Sequence, residues 1–175
     1  MNTQNDKMQN SIIPIFFACN DAYIPYLDVA LTSLIDHTNS LNKYEITILK
    51  IDISNENQNK ILTHNKDNVE IKFYDVKDLL KPIEQKLPSM AYSLAAYFRL
   101  FIETAFPQYD KAIYLDSDII LLDDIANLYN IDIGDNLVGA VYEQNTSRSP
   151  EFTNYVENCI GIPYYTYFNS GVMLM

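Results

Sequence analysis

Short apolar runs alternate along this chain with stretches whose apolar residues recur every three or four positions. That alternation restricts the fold more than any single residue does. Ile12–Cys19 is eight residues of almost unbroken apolar character, as expected of a parallel strand buried on both faces. Ile24, Leu27, Leu31, Leu34 and Ile35 then fall at helical spacing and predict a helix over about 22–38, with Asn20 and Asp21 as its caps. A second strand is expected over 45–53, a polar helix capped by Ser54 up to about His64, and a third strand over 69–76. Leu94, Phe98, Phe101, Ile102 and Ala105 form a helical stripe after Pro88, and strands are expected at 111–115, 137–142 and 166–175. Such an order predicts one α/β domain with a mostly parallel sheet over 12–175, behind a loose tail at 1–11. The sequence stops inside the apolar run Gly171–Met175, which reads as a fragment truncated at its C-terminal side.

Charge and composition remove several function classes. Twelve Lys and Arg against 23 Asp and Glu leave a net charge of −11, a poor surface for nucleic acid. The four glycines stand at 134, 139, 161 and 171, too far apart for a G-x-G-x-x-G or Walker-type phosphate loop. Cys19, Cys159, His37 and His64 are the only soft ligands and are too scattered for a closed zinc site. Any metal must therefore be held mostly by carboxylates. The two cysteines lie 140 positions apart and read as free thiols of a reducing compartment, so the expected location is cytoplasmic. The longest N-terminal apolar run is too short to span a membrane and contains Pro14. No basic amphipathic helix supports peripheral membrane contact, which is left to the missing C-terminal part.

The segment Lys111-Ala-Ile-Tyr-Leu-Asp-Ser-Asp118 carries the chemistry. Side chains alternate along a strand, so Asp116 and Asp118 are expected on one face and Ser117 on the other. Ligands of open α/β sheets bind beyond the carboxyl ends of the strands. Two carboxylates at such an end suit a hard divalent cation that completes its shell with substrate phosphates. A cation would also let an anionic ligand approach this acidic chain, which has only Arg99 and Arg148 as arginines. The other reading makes these residues ordinary caps, a role that Asp123 and Asp124 also fit.

The chain resembles glycosyltransferase family 8, which includes bacterial lipopolysaccharide galactosyl- and glucosyltransferases and glycogenin. Five blocks in order carry the resemblance: Phe17-Ala-Cys-Asn-Asp-Ala-Tyr-Ile-Pro-Tyr-Leu27, Ala96-Tyr-Phe-Arg-Leu100, Tyr109-Asp-Lys-Ala-Ile-Tyr-Leu-Asp-Ser-Asp118, Val138-Gly-Ala-Val141 and Tyr167-Phe-Asn-Ser-Gly-Val172. The resemblance implies a GT-A fold, a Rossmann-like nucleotide-sugar-binding domain. It implies retaining transfer of a hexose, galactose or glucose, from a UDP-sugar to a glycan or lipid-linked sugar acceptor with Mn2+ or Mg2+, in cell-surface polysaccharide synthesis. It implies Asp116 and Asp118 as metal ligands in the catalytic site, and Asn169 near the donor sugar. Ala18 and Asn20 would contact uracil and ribose, Tyr23 would stack on the base, and Arg99 would reach the sugar or diphosphate. Ser117 joins the donor-binding group, and Glu143 stands where an acidic residue lies near sugar or acceptor.

Each assignment has a plainer counterpart. Tyr23 could be helix packing, Asn20 only a cap, Arg99 a snorkelling side chain and Asn169 a buried amide. His37 and His64 read as solvated, Cys19 as core, and Asp52 and Asp75 as turn residues. The chain also departs from the family pattern. Asn20 replaces a frequent Asp, and Ala22 a frequent Asn. The C-terminal His-x-x-Gly-x-x-Lys-Pro-Trp type block, with its third metal ligand, is absent, and the chain contains no Trp. The expectation is weak donor binding and poor transfer by these 175 residues alone. Two rivals remain: a truncated module that binds nucleotide-sugar without transfer, and a haloacid-dehalogenase-type phosphatase, against which Ile120 and the motif's distance from the N-terminus count.

Overall fold

The computed structural model describes residues 12–82, 94–145 and 148–175. The expected tail at 1–11 lies outside them. Six strands form one sheet: β1 (Ile12–Ala18), β2 (Lys43–Lys50), β3 (Val69–Asp75), β4 (Ile113–Leu115), β5 (Gly139–Tyr142) and β6 (Phe168–Leu174). Between them lie α1 (Ile24–Asp36), α2 (Asn55–Leu62), α3 (Lys77–Leu80), α4 (Ile102–Ala105), α5 (Ala126–Tyr129) and α6 (Pro150–Tyr155). The strand order is β3-β2-β1-β4-β6-β5. β1 pairs in parallel with β2 and β4, and β2 with β3; β6 alone runs antiparallel, to both β4 and β5. The mostly parallel α/β sheet is as expected. The reversal of β6 follows from its connection to β5, which apolar patterning does not encode.

Alternation along the strands builds two cores. Ile13, Ile15 and Phe17 of β1 and Ile113 and Leu115 of β4 face the core under α1, α2 and α5. Phe16 and Ala18 of β1 and Tyr114 of β4 face the opposite core, closed by α3, the 3-10 segment Leu94–Phe101 and α4. Three layers result, and each central strand is apolar on both faces. The helix expected from the stripe at 94–105 is therefore mostly 3-10, with a single α turn at its end. Its buried residues Ala95, Phe98 and Ile102 are spaced by three and four, a pattern that either helix type satisfies.

Several ends shift by local chemistry. Asn20 Oδ1 accepts the Tyr23 amide at 3.2 Å and closes a 3-10 turn over Asp21–Tyr23. The α-helix then begins at Ile24 with Pro25 in its first turn, where a missing N–H costs nothing. Asp21 does not cap that helix. Its Oδ1 accepts from the Ser54 amide at 2.9 Å and from Asn57 Nδ2 at 2.8 Å, tying the β1–α1 connection to the start of α2. Ser54 caps α2 as expected, accepting the Asn57 amide at 3.3 Å. β2 ends at Lys50, not at 53, because its partner β3 ends opposite it at Asp75. His64 is not simply solvated: its Nε2 lies 2.6 Å from Asp28 Oδ1, beside a Lys60–Asp28 ion pair at 2.7 Å. Asp75 accepts the Lys77 amide at 2.9 Å, and Asp124 the Ala126 amide at 2.9 Å, both as turn residues.

Candidate functional site

The chain lays down β1, β2 and β3 in one direction and then returns to place β4 on the other side of β1. The crevice between the carboxyl ends of β1 and β4 is the switch point at which such sheets bind ligands. β4 ends at Leu115, and Asp116 follows at once. The Asp116 amide donates to the Gly171 carbonyl at 2.7 Å, so pairing with β6 runs one residue past the strand. Asp116 therefore keeps the facing of Tyr114 and turns toward the layer that carries Arg99.

Arg99 binds mostly protein atoms. Its Nε donates to the Ala96 carbonyl at 2.9 Å, Nη1 to the Ser170 carbonyl and to Ser170 Oγ at 3.0 Å, and Nη2 to Asp116 Oδ1 at 2.9 Å. Its Cζ lies 4.3 Å from the centre of the Tyr114 ring. The Arg99 side chain is 12% exposed, so it is not snorkelling into water. The Tyr114 hydroxyl donates to the same Asp116 Oδ1 at 2.9 Å. Burial, then the Asp116 charge, push the Tyr114 pKa far up and keep the hydroxyl a donor at neutral pH.

The expected shared facing of Asp116 and Asp118 is not carried by the strand, because Ser117 and Asp118 already lie in a turn. Ser117 is buried and donates to the Ala18 carbonyl at 3.2 Å, tying the end of β4 to the end of β1. Asp118 is exposed.

A slip in β6 builds the opposite wall. Ala140 pairs with Met173, but its neighbour Val141 pairs with Asn169. Ser170, Gly171 and Val172 thus have no partner on β5 and bulge toward Asp116. An added Cβ on Gly171 would sit 2.6 Å from Asp116 Oδ2 and 2.9 Å from Asn169 Oδ1. These two oxygens thus border one small space above the glycine. Asn169 Oδ1 accepts the Gly171 amide at 2.8 Å, and Nδ2 donates to Glu143 Oε2 at 2.9 Å. Asn169 is exposed, not a buried amide. Glu143 Oε1 also accepts the Asn145 amide at 2.9 Å. These two bonds, the backbone one first, hold the Glu143 carboxyl below the usual range. A cleft of about 280 Å3 beside this pair is lined by Val141, Tyr142, Glu143, Gln144, Asn169 and Val172.

Contacts thus join Asp116, Arg99, Asn169 (through Gly171) and Glu143, and separately join Ser117 to Ala18. Asn20 and Tyr23 follow the end of β1, with the exposed Tyr23 ring 5.4 Å from that of Tyr26, so it packs in neither core. A larger hollow of about 630 Å3 lies near Lys43 and Lys66, at the amino ends of β2 and β3, the wrong end for a ligand in this architecture. Sequence reading missed Tyr114, Ser170 and Gly171. Tyr114 was findable, standing two residues before Asp116 on a strand. Ser170 and Gly171 depend on the β6 slip.

The donor chemistry fits a hard divalent cation in part. The two protein donors to Asp116 both take Oδ1, which leaves Oδ2 at the rim of the Gly171 space, and the Asp118 carboxylate is exposed. No cluster of three His, Cys, Asp or Glu side chains able to hold a metal occurs among the described residues. No helix of the described residues is long and apolar enough to cross a membrane.

Comparison with known proteins bears on the family and the fold. A putative glycosyltransferase of Haemophilus influenzae is 29% identical over 167 residues, covering 92% of this chain and 47% of its own length. The galactosyltransferase LgtC, solved with donor and acceptor sugar analogues, superposes with a TM-score of 0.76 at 26% identity, over 93% of this chain and 57% of that one. The bifunctional glycosyltransferase WbbM, solved in its apo form, gives 0.82 at 23% identity, over 97% of this chain and 32% of that one. The sheet is that of a GT-A fold. The chain spans about half the length of the Haemophilus protein. Residues 14–175 match the family model described as glycosyl transferase family 8, and the chain belongs to that family.

Proposed function

We propose that this chain forms the donor-binding part of a metal-dependent, retaining hexosyltransferase. It would take galactose or glucose from a UDP-sugar and pass it to a glycan acceptor in cell-surface polysaccharide synthesis. The observation that supports it most is Asp116: a carboxylate at the carboxyl end of a central strand, with one oxygen fixed by Arg99 and Tyr114 and the other beside the Gly171 space. Asp116 and Asp118 would hold Mn2+ or Mg2+, which when bound neutralises charge growing on the leaving diphosphate.

The chain's own residues would do the rest. The exposed Tyr23 ring offers a face for uracil, and Ala18 and Asn20 stand at the end of β1. Ser117 joins the two strand ends that line the crevice. Asn169 would offer its exposed amide to sugar hydroxyls. Arg99 has one Nη2 hydrogen left for a donor, because four of its contacts are to protein. Glu143 closes the rim on the β5 side.

Calorimetric titration with UDP, with and without Mn2+, tests the reading, alongside product analysis with UDP-galactose and UDP-glucose. Nucleotide binding that requires Mn2+ and disappears in Asp116→Ala is expected. Binding indifferent to both would overturn it. Binding without any sugar release favours the module that holds a nucleotide-sugar and does not transfer it.

A further inference from the structure

We propose that Tyr114, acting with Arg99, is a positioning residue that sets which oxygen of Asp116 is offered to the cation. The inference rests on the function proposed above and deepens it. Asp116 Oδ1 receives two donors, the Tyr114 hydroxyl at 2.9 Å and Arg99 Nη2 at 2.9 Å. Rotation of the carboxylate would break both. Tyr114 is itself immobile: it is 1% exposed and stands in the core closed by the Leu94–Phe101 segment. Arg99 is fixed from three other sides, by Ala96, by Ser170 and by the Tyr114 ring under its guanidinium. The carboxylate thus points Oδ2 toward the Gly171 space, next to Asn169 Oδ1.

The geometry separates two tasks that one charged residue could have combined. The guanidinium pairs with one oxygen of Asp116 and leaves the other directed at the Gly171 space. The hydroxyl supplies direction without charge. A phenol is suited to that task because it donates one hydrogen bond and carries no charge at neutral pH. Ligand groups held in place by a surrounding hydrogen-bonded shell bind their ion better, and removing the outer partner typically costs about 10–100-fold in metal affinity.

Tyr114→Phe removes the hydroxyl alone and keeps the ring beneath Arg99. Mn2+ binding to the full chain, followed by the loss of the free-ion electron spin resonance signal in the presence of UDP, is the readout. The expected result is Mn2+ binding weaker by about tenfold in Tyr114→Phe, with a thermal midpoint close to that of the parent. Tyr114→Leu, which also removes the surface on which Arg99 rests, should weaken it further. Arg99→Lys keeps the charge and loses the fork, and should weaken binding as well. Parent-like Mn2+ binding in Tyr114→Phe would sink the positioning role while leaving the functional reading intact. Absence of Mn2+ binding by the parent chain would sink both. If Tyr114→Leu fails to fold, Tyr114→Phe still decides the question.

Discussion

At Gly171 a single hydrogen atom separates a working arrangement of oxygens from a collision. The glycine is needed for space, not for an unusual backbone angle, since the positive φ values among the described glycines belong to Gly134 and Gly161. Gly171→Ala would put carbon 2.6 Å from Asp116 Oδ2, so the carboxylate or β6 must move. Overpacking of this kind costs about 1–3 kcal/mol. The expected outcome is a modest drop in thermal midpoint together with loss of Mn2+-dependent UDP binding in calorimetry. Unchanged nucleotide binding would show that Asp116 Oδ2 has no part in it. The two cysteines make a second test. Burial pushes the Cys19 thiol up to about 12, whereas Cys159 is exposed. A thiol reagent at neutral pH should label Cys159 in the native protein and reach Cys19 only after unfolding; peptide mass analysis reads this directly. Asp116 and Asp118 were named as candidates from their type and spacing after an apolar strand, together with the family resemblance. Of the two donors that orient Asp116, Tyr114 was findable two residues before it, whereas Arg99 meets it only after folding.

Among the elements, the clasp between α1 and α2 governs behaviour in acid. Asp28 of α1 takes Lys60 at 2.7 Å and His64 at 2.6 Å from α2 and the turn beyond it. Burial alone would raise the Asp28 pKa, but the bonds from Lys60 and His64 outweigh it, and the net shift is downward. A depressed carboxylate stabilises the fold above its unfolded pKa, and that contribution is lost as pH falls through the lower folded value. Thermal midpoints should therefore decline below about pH 4. Asp28→Asn should be less stable than the parent at neutral pH and lose less on acidification. An identical acid limb in both proteins would remove this pair from the account. Element types were largely readable, because strand and helix periods differ. Their ends were not: Asp21 serves α2 instead of its own helix, and β2 stops where β3 does. Both are facts of pairing between distant segments.

For the whole molecule, protection should follow position in the sheet. β1 and β2 each have strands on both sides and apolar layers above and below. β5 has β6 as its one neighbour, and Val141 and Tyr142 are exposed. Hydrogen exchange followed by mass spectrometry should find β1 and β2 slowest and β5 fastest among the strands. Comparable rates across the sheet would contradict this layering. The parallel α/β plan was visible in the order of apolar runs. The slip in β6 was not, since it is a choice of register between Ala140–Val141 and residues 169–173.

That slip leaves the candidate site with walls of unequal stiffness. On the β4 side, main-chain pairing continues through Asp116 to Gly171. On the β5 side, the ladder skips Ser170–Val172 and resumes at Val141–Asn169, where the Glu143 amide donates to the Tyr167 carbonyl and its side chain accepts from Asn169. A push on β5 would thus fall first on Ser170–Val172, the stretch of β6 that has no partner there. If a sugar docks in the cleft as proposed, its fit would be adjusted on that flank without disturbing the carboxylate on the other.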